Sequence, residues 1–453
     1  MGVSMIQEIF SLLGQAENFL WGYIGLPLVV ALGLYLTCKS RFMQFRKFPA
    51  IVRNFVEGFS LEKKDGTLHP IRAFFASIGG SLGIGNVVAV SAAIQLGGPG
   101  TLVWIWVTAL IGSLVKYAEV YIGMSQRKKL PDGSFRGGPM LFLNQAFGGA
   151  AWPGVLFCVL LGIYGTEIYQ FGVVASVTST ALGVSKWVTA LTFIAIILFV
   201  ERGGFQRVGL VASMVVPFIV GIYVLMGSYV LFAHAAQLPA VFADIFRSAF
   251  STRAAEGGFV GGSLLLALSH GVRRGCYSTD IGIGYASMVH SASSATEPAK
   301  QASLLIFEIF TDTFFVCTMS VLLVLVTGTW TQEMSDLLFV QQALAQHFPH
   351  MECFMPFLLS LLGYSVVTTY FSAGMRAVQY LLPTWGRRLY YVYSATAFLT
   401  FTFLENRYAL SVMSLFGFSL LVLNSIGIWR LRHLLSFDVS PKETAVPEEV
   451  VAE

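Results

Sequence analysis

Residues 81–86 read SLGIGN, two glycines one residue apart inside an apolar run, followed by an amide side chain. Each glycine costs about 1 kcal/mol relative to alanine in a helix interior. Yet the run that holds them, near 73–96, is long enough to cross a hydrocarbon core as a helix. In lipid a helix breaks only where the freed peptide groups face protein or a water-filled cavity. Unwinding at Gly83 and Gly85 would turn N–H groups of the second half-helix toward an anion and carbonyls of the first half toward a cation. Without a β-carbon, the main chain there is open to close approach by a ligand. The competing reading is packing: Gly79, Gly80, Gly83 and Gly85 could simply let two membrane helices touch.

A second copy favours the break. Thr279–Tyr285 reads TDIGIGY, so the Gly-Ile-Gly step recurs about 200 residues later, in another apolar run. With the first glycine span counted as one, this is the sixth, and it runs across the bilayer in the opposite sense. Two interrupted spans in corresponding positions of two five-helix halves are the mark of an inverted-repeat secondary transporter.

Composition agrees. Of 453 residues, 55% are apolar and 11% charged, against about 25% charged in soluble domains. The chain reads as an all-α membrane protein with about eleven spans, near 19–38, 73–96, 100–125, 152–182, 186–201, 208–233, 259–288, 303–327, 354–382, 388–404 and 408–430. Residues 1–72 hold one helix and a loop, 73–233 the first five-helix repeat, 259–430 the second, and 431–453 a polar, disordered tail. The first span is too long for a signal peptide's apolar core and has no small-residue cleavage site after it. Loops on one side carry 20 Lys and Arg, those on the other 4. That asymmetry places the amino terminus outside and the carboxyl terminus in the cytoplasm of a bacterial inner (plasma) membrane protein. It also leaves no basic patch for a nucleic acid. The five cysteines show no metal or disulfide spacing and read as small apolar fillers. No catalytic or phosphate-loop motif supports an enzyme. A channel is the stronger rival, since broken helices also build selectivity filters.

Residue by residue, the chain resembles the alanine or glycine:cation symporter family, whose members have the leucine-transporter fold. The likeness rests on GIGN (83–86), AIQLGGPGTLVWIW (93–106), KYAEV (116–120), GGPM (137–140), GGFQRVG (203–209), RRGCYSTDIGIG (273–284) and TDTFFVCT (311–318). It implies symport of a small neutral amino acid with Na⁺, and no cofactor besides the ion. It further implies that the Ile84 and Gly85 amides, beside Gly83, hold the substrate carboxylate. Ser81 and Asn86 would lie near its amino group and a second cation. Gln170, Ser278, Thr279 and Asp280 would complete the substrate site. The carbonyls of Gly79 and Leu82, with the Ser365 hydroxyl, would hold Na⁺. The family usually has Thr at Ile84, Asn-Glu at Thr279-Asp280, Asn at Glu167 and a hydroxyl at Val366. Losing hydroxyls at 84 and 366 weakens a hard-ion site. Glu167 adds a mid-membrane carboxyl three residues before Gln170, and a buried carboxyl can hold a proton near neutral pH. Proton coupling through Glu167 is therefore the alternative. The amino-acid identity and the oligomeric state stay open.

Other mid-span charges have local readings. Lys116 and Glu119 pair along one helix face. Asp312, one turn from Glu308, lines the cation path or caps a neighbour. Arg273 and Arg274 pair with Asp280 or Glu167, or reach a vestibule. Arg376 snorkels. Trp104, Trp106, Trp152 and Trp187 anchor at the interface, and Tyr364 or Tyr370 gates the substrate.

Overall fold

The computed structural model describes residues 10, 12–17, 19–62, 66–250, 271–272, 275–276 and 279–439. Helices dominate it. Those in the membrane region are α1 (Leu26–Lys39), α2 (Pro70–Ser81), α3 (Val90–Gly97), α4 (Thr101–Ser125), α5 (Trp152–Tyr164), α6 (Ile168–Leu182) and α7 (Lys186–Glu201). They continue with α8 (Gly204–Ala233), α9 (Tyr285–Ser291), α10 (Pro298–Ile309), α11 (Thr318–Val326), α12 (Met351–Leu381), α13 (Gly386–Thr402) and α14 (Asn406–Arg430). Among the described residues, seven helical runs are long and apolar enough to cross a membrane, counting Leu12–Lys39, Trp152–Leu182 (α5 with α6) and Pro298–Val326 (α10 with α11) as one run each, and α2 with α3 makes an eighth, bent span. Helices α7 and α13 stand at two further expected spans but have only 16 and 17 residues. The first part of the expected span 259–288 lies outside the described residues.

The break at SLGIGN is real. Helix α2 starts on Pro70, with His69 Nδ1 accepting from Ile71 N at 3.2 Å, and stops at Ser81. Leu82 leaves helical geometry (ψ 88°), and the chain resumes through a π-helical turn, Gly85–Ala89, into α3. The two halves are inclined by 53°. The second break is also present: residues 279–284 form turns, and α9 begins at Tyr285. Its geometry explains the sequence, since Gly282 (φ 76°) and Gly284 (φ 100°) are left-handed, where a β-carbon is strained.

A third interruption was not expected. The helical run 152–182 is interrupted at Gly165–Glu167, with Glu167 at φ 46° between α5 and α6. One glycine in an apolar run gives little warning of it.

Packing places all three interruptions together. α4 lies along α10, α6 along α12, and α2 against both α8 and α12. At one end of the bundle the chain entering α2 is stitched to the chain leaving α9. Leu68 N donates to Ala292 O (2.9 Å), and Ser294 N to Leu68 O (2.8 Å). Arg127 donates to the carbonyls of Ser291 (3.3 Å), Ser293 (2.9 Å) and Ala295 (2.6 Å), capping α9. Burial lowers its guanidinium to about 10, which leaves it charged at neutral pH.

The tail expectation needs correction. Residues 431–439 are packed: Tyr117 Oη donates to Ser436 O (2.6 Å), Lys47 pairs with Asp438 (3.3 Å), and Val439 is buried. The apolar Leu434, Leu435, Phe437 and Val439, hidden among polar neighbours, join the core. Residues 440–453 lie outside the described residues.

Candidate functional site

At the first break the peptide groups turn to side chains. Gly83 N donates to Asn86 Oδ1 at 2.9 Å. The Gly79 carbonyl thereby loses the donor that a continuous helix would give it four residues on. Facing Gly79 is Ser365 on α12, buried and with no hydrogen-bond partner for Oγ. A β-carbon on Gly79 would lie 2.6 Å from that oxygen. A hydroxyl without a partner thus faces the residue whose carbonyl is released, two of the three groups expected to hold a cation, and Leu82 is the next residue after α2.

Gln170 on α6 meets the same break. Its Oε1 accepts from Ile84 N at 3.4 Å, and its Nε2 would lie 2.8 Å from a β-carbon on Gly83. Val366 Cγ2 would lie 2.9 Å from that same point. Ile84 fills a notch beside Gly363 of α12, where a β-carbon would be 3.0 Å from its Cδ1. Its apolar side chain is therefore spent on helix packing. The packing reading of the glycines also has substance: a β-carbon on Gly80 would lie 2.7 Å from the Tyr285 ring. Gly83 belongs to the break, and Gly79 and Gly80 to close helix contact.

Two carboxylates on adjacent turns brace the two halves. Glu308 Oε1, at the end of α10, accepts from Ser81 Oγ at 3.1 Å. Asp312, in the π-helical turn Phe310–Cys317, accepts from Asn86 Nδ2. At the second break, Asn424 Nδ2 donates to Gly282 O (2.8 Å) and Lys116 Nζ to Thr279 O (3.1 Å). Asp280 adopts a left-handed backbone (φ 51°). Glu167 lies within Coulombic range of Asp280, is buried, and has no partner for Oε2. The Tyr370 ring packs against that of Tyr285 at a tilt (centroids 4.3 Å apart, planes at 42°) between the two breaks. Ser278, Arg273 and Arg274 lie outside the described residues.

Several local readings change. Among the described residues, the ion-pair partner of Lys116 is Glu308 at 2.6 Å, across two helices, not Glu119 along its own. Glu119 instead lies against the backbone N–H groups at the start of α9. Helix periodicity puts residues 116 and 119 on one face, but the partner that a neighbouring helix offers is invisible to it. Trp104 and Trp106 are half-buried and donate to Ala249 O (3.2 Å) and Thr318 Oγ1 (2.8 Å) of neighbouring helices, whereas Trp152 and Trp187 are exposed. Arg376 lies over the Phe205 ring at 4.1 Å. The available signal for the Lys116–Glu308 pair was charge balance: a lone mid-span lysine needs a mid-span acid.

A sequence model of the sodium:alanine symporter family matches residues 6–440. The chain belongs to that family. Relatives of this symporter include the sodium/alanine symporter AgcS of Methanococcus maripaludis, 29% identical over 393 residues, covering 84% of this chain and 86% of that one. The amino-acid carrier protein AlsT of Bacillus subtilis is 31% identical over 341 residues (74% and 71%). The probable sodium/glutamine symporter GlnT of the same organism is 29% identical over 395 (86% and 80%). A manganese transporter of Eremococcus coleocola matches with a TM-score of 0.49 at 12% identity, over 78% of this chain and 75% of that one, too distant to inform the site. The protein is thus a multi-pass membrane transporter that moves an amino acid together with a cation, and not an enzyme.

Proposed function

We propose that this symporter carries alanine or glycine with Na⁺ by alternating access between two five-helix halves, amino terminus outside and carboxyl terminus in the cytoplasm. The observation that carries the ion assignment is the unpartnered Ser365 Oγ facing Gly79, whose carbonyl has lost its helical donor. Na⁺ is a hard ion that takes oxygen ligands, which a free hydroxyl beside a released carbonyl would supply. The sodium sites would be the carbonyls of Gly79 and Leu82 with Ser365 Oγ, and a second near Asn86. The amino acid would lie between the breaks. Its carboxylate would displace Gln170 Oε1 from Ile84 N, the weakest of the bonds that satisfy the first break, and reach Gly85 N. Its ammonium would face Asp280, beside Thr279, and Ser81 and Asn86 would border it. A carboxylate set against Gly83 also explains why no side chain stands there. Small substrates accord with the name of the Methanococcus relative, while that of GlnT keeps glutamine as a competitor to test.

The second reading is proton coupling through Glu167, favoured by its buried, unpartnered Oε2. Uptake of labelled alanine, glycine and glutamine into proteoliposomes, with Na⁺ and H⁺ gradients imposed separately, tests both. Sodium-driven alanine accumulation that survives Glu167→Gln is the expected result. Accumulation driven by the proton gradient alone, and lost in Glu167→Gln, would replace the sodium reading.

A further inference from the structure

Lys116 is the unexplained charge at the centre of the molecule. Its side chain is 1% exposed and that of its partner Glu308 is 0% exposed. A buried ion pair is an expensive way to fill space, and apolar residues of similar volume usually serve as well or better. Its contacts suggest another use. The ammonium donates to Glu308 Oε1 (2.6 Å) and to Thr279 O (3.1 Å), and sits 5.7 Å from the centroid of the Tyr285 ring. Glu308 Oε1 in turn accepts from Ser81 Oγ (3.1 Å), and Tyr285 Oη donates to Ser77 O (2.7 Å) on the same half-helix. One short chain of contacts, Thr279 O to Lys116 to Glu308 to Ser81, therefore runs from the second break to the first through Lys116, beside the direct bond from Tyr285 to Ser77, without any substrate. One end, Ser81, is two residues from Gly79 and next to Leu82. The other, Thr279, precedes Asp280.

We propose that Lys116 is a tethered cation that makes the two broken helices one unit, so that Na⁺ at the first break prepares the second for the amino acid. It is a positioning residue: it touches neither ligand, and it carries the linkage between them. The lysine holds a peptide carbonyl and a carboxylate together, as a bound ion would, but it cannot leave. The order that Lys116 supplies at Thr279 then responds to what happens at Ser81. The proposal rests on the sodium reading of the first break.

The test is equilibrium binding of labelled alanine to purified protein, without and with saturating Na⁺. Linkage of this kind is typically worth a factor of about 5–150 in affinity. Wild type is expected to show such a factor. In Lys116→Met/Glu308→Gln, which removes both charges together, alanine should still bind without Na⁺, and the sodium factor should fall to about 1. A monodisperse double variant that keeps the wild-type factor would overturn the proposal. A measurement on wild type alone stands beside it: Na⁺ without alanine should slow amide hydrogen exchange at Thr279–Tyr285 as well as at Leu82–Asn86. Protection confined to the first segment would also overturn it. A wild type whose alanine affinity ignores Na⁺ would identify the sodium reading as the point of failure.

Discussion

Gly79→Ala is the most direct probe of the cation site, because its backbone accepts alanine and only its surroundings do not. Gly79 lies within helix α2, where alanine gains about 1 kcal/mol of helix propensity. Its new methyl would stand 2.6 Å from Ser365 Oγ and 3.3 Å from Ala212 Cβ and Val216 Cγ2, where ordinary contacts begin at 3.4 Å. The last two are tight but tolerable, so the strain falls on Ser365, which must retreat by about 0.8 Å or rotate away. Overpacking of this size costs about 1–3 kcal/mol, so net stability changes by about 0–2 kcal/mol after the propensity gain. The effect on sodium is larger. A hydrogen-bonding group lost to a charged partner is worth about 1.5–3 kcal/mol. At about 1.4 kcal/mol per decade, that raises the half-saturating Na⁺ concentration for alanine uptake about 10- to 150-fold. Ser365→Ala should give the same shift by removing the oxygen outright. The double variant should be no worse than either single one, since the methyl introduced at position 79 then has room and no ligand remains to displace. Sodium activation curves in proteoliposomes at fixed pH provide the assay. A Ser365→Ala curve within about twofold of wild type, or shifts that multiply in the double variant, would refute the site.

Two further substitutions test the breaks themselves. Gly83→Val should abolish uptake while the protein still inserts and purifies, because its Cβ would fall 2.8 Å from Gln170 Nε2 and 2.9 Å from Val366 Cγ2, in the space proposed for the substrate carboxylate; measurable uptake at normal expression would count against that placement. Gly284→Ala should destabilise the fold by about 2–4 kcal/mol, combining left-handed strain with overpacking, since φ is 100° and its Cβ would meet Phe157 Cε2 at 2.6 Å and Asn424 Nδ2 at 2.8 Å. A lowered thermal midpoint of the detergent-solubilised protein checks it, and an unchanged midpoint would show that the second break tolerates a β-carbon.

The all-helical membrane class and the position of both expected breaks were legible in the residues alone. Apolar length and paired glycines act locally: a run of about 20 apolar residues must cross lipid as a helix, and Gly83, Gly282 and Gly284 mark where that helix can stop. The likeness of motifs then identified the family and proposed Gln170 and Ser365, which the fold does bring to the first break. Pairing, by contrast, was settled in three dimensions. Lys116 chose Glu308 over Glu119 because α4 lies along α10, and the sequence separation of that pair is 192 residues. The third interruption at Glu167, the coupling of Asn86 to Asp312, and the docking of residues 431–439 likewise depend on neighbours distant in the chain. Periodicity tells which face of a helix a residue occupies, whereas the cost of burying a charge is settled only by what another helix sets opposite it.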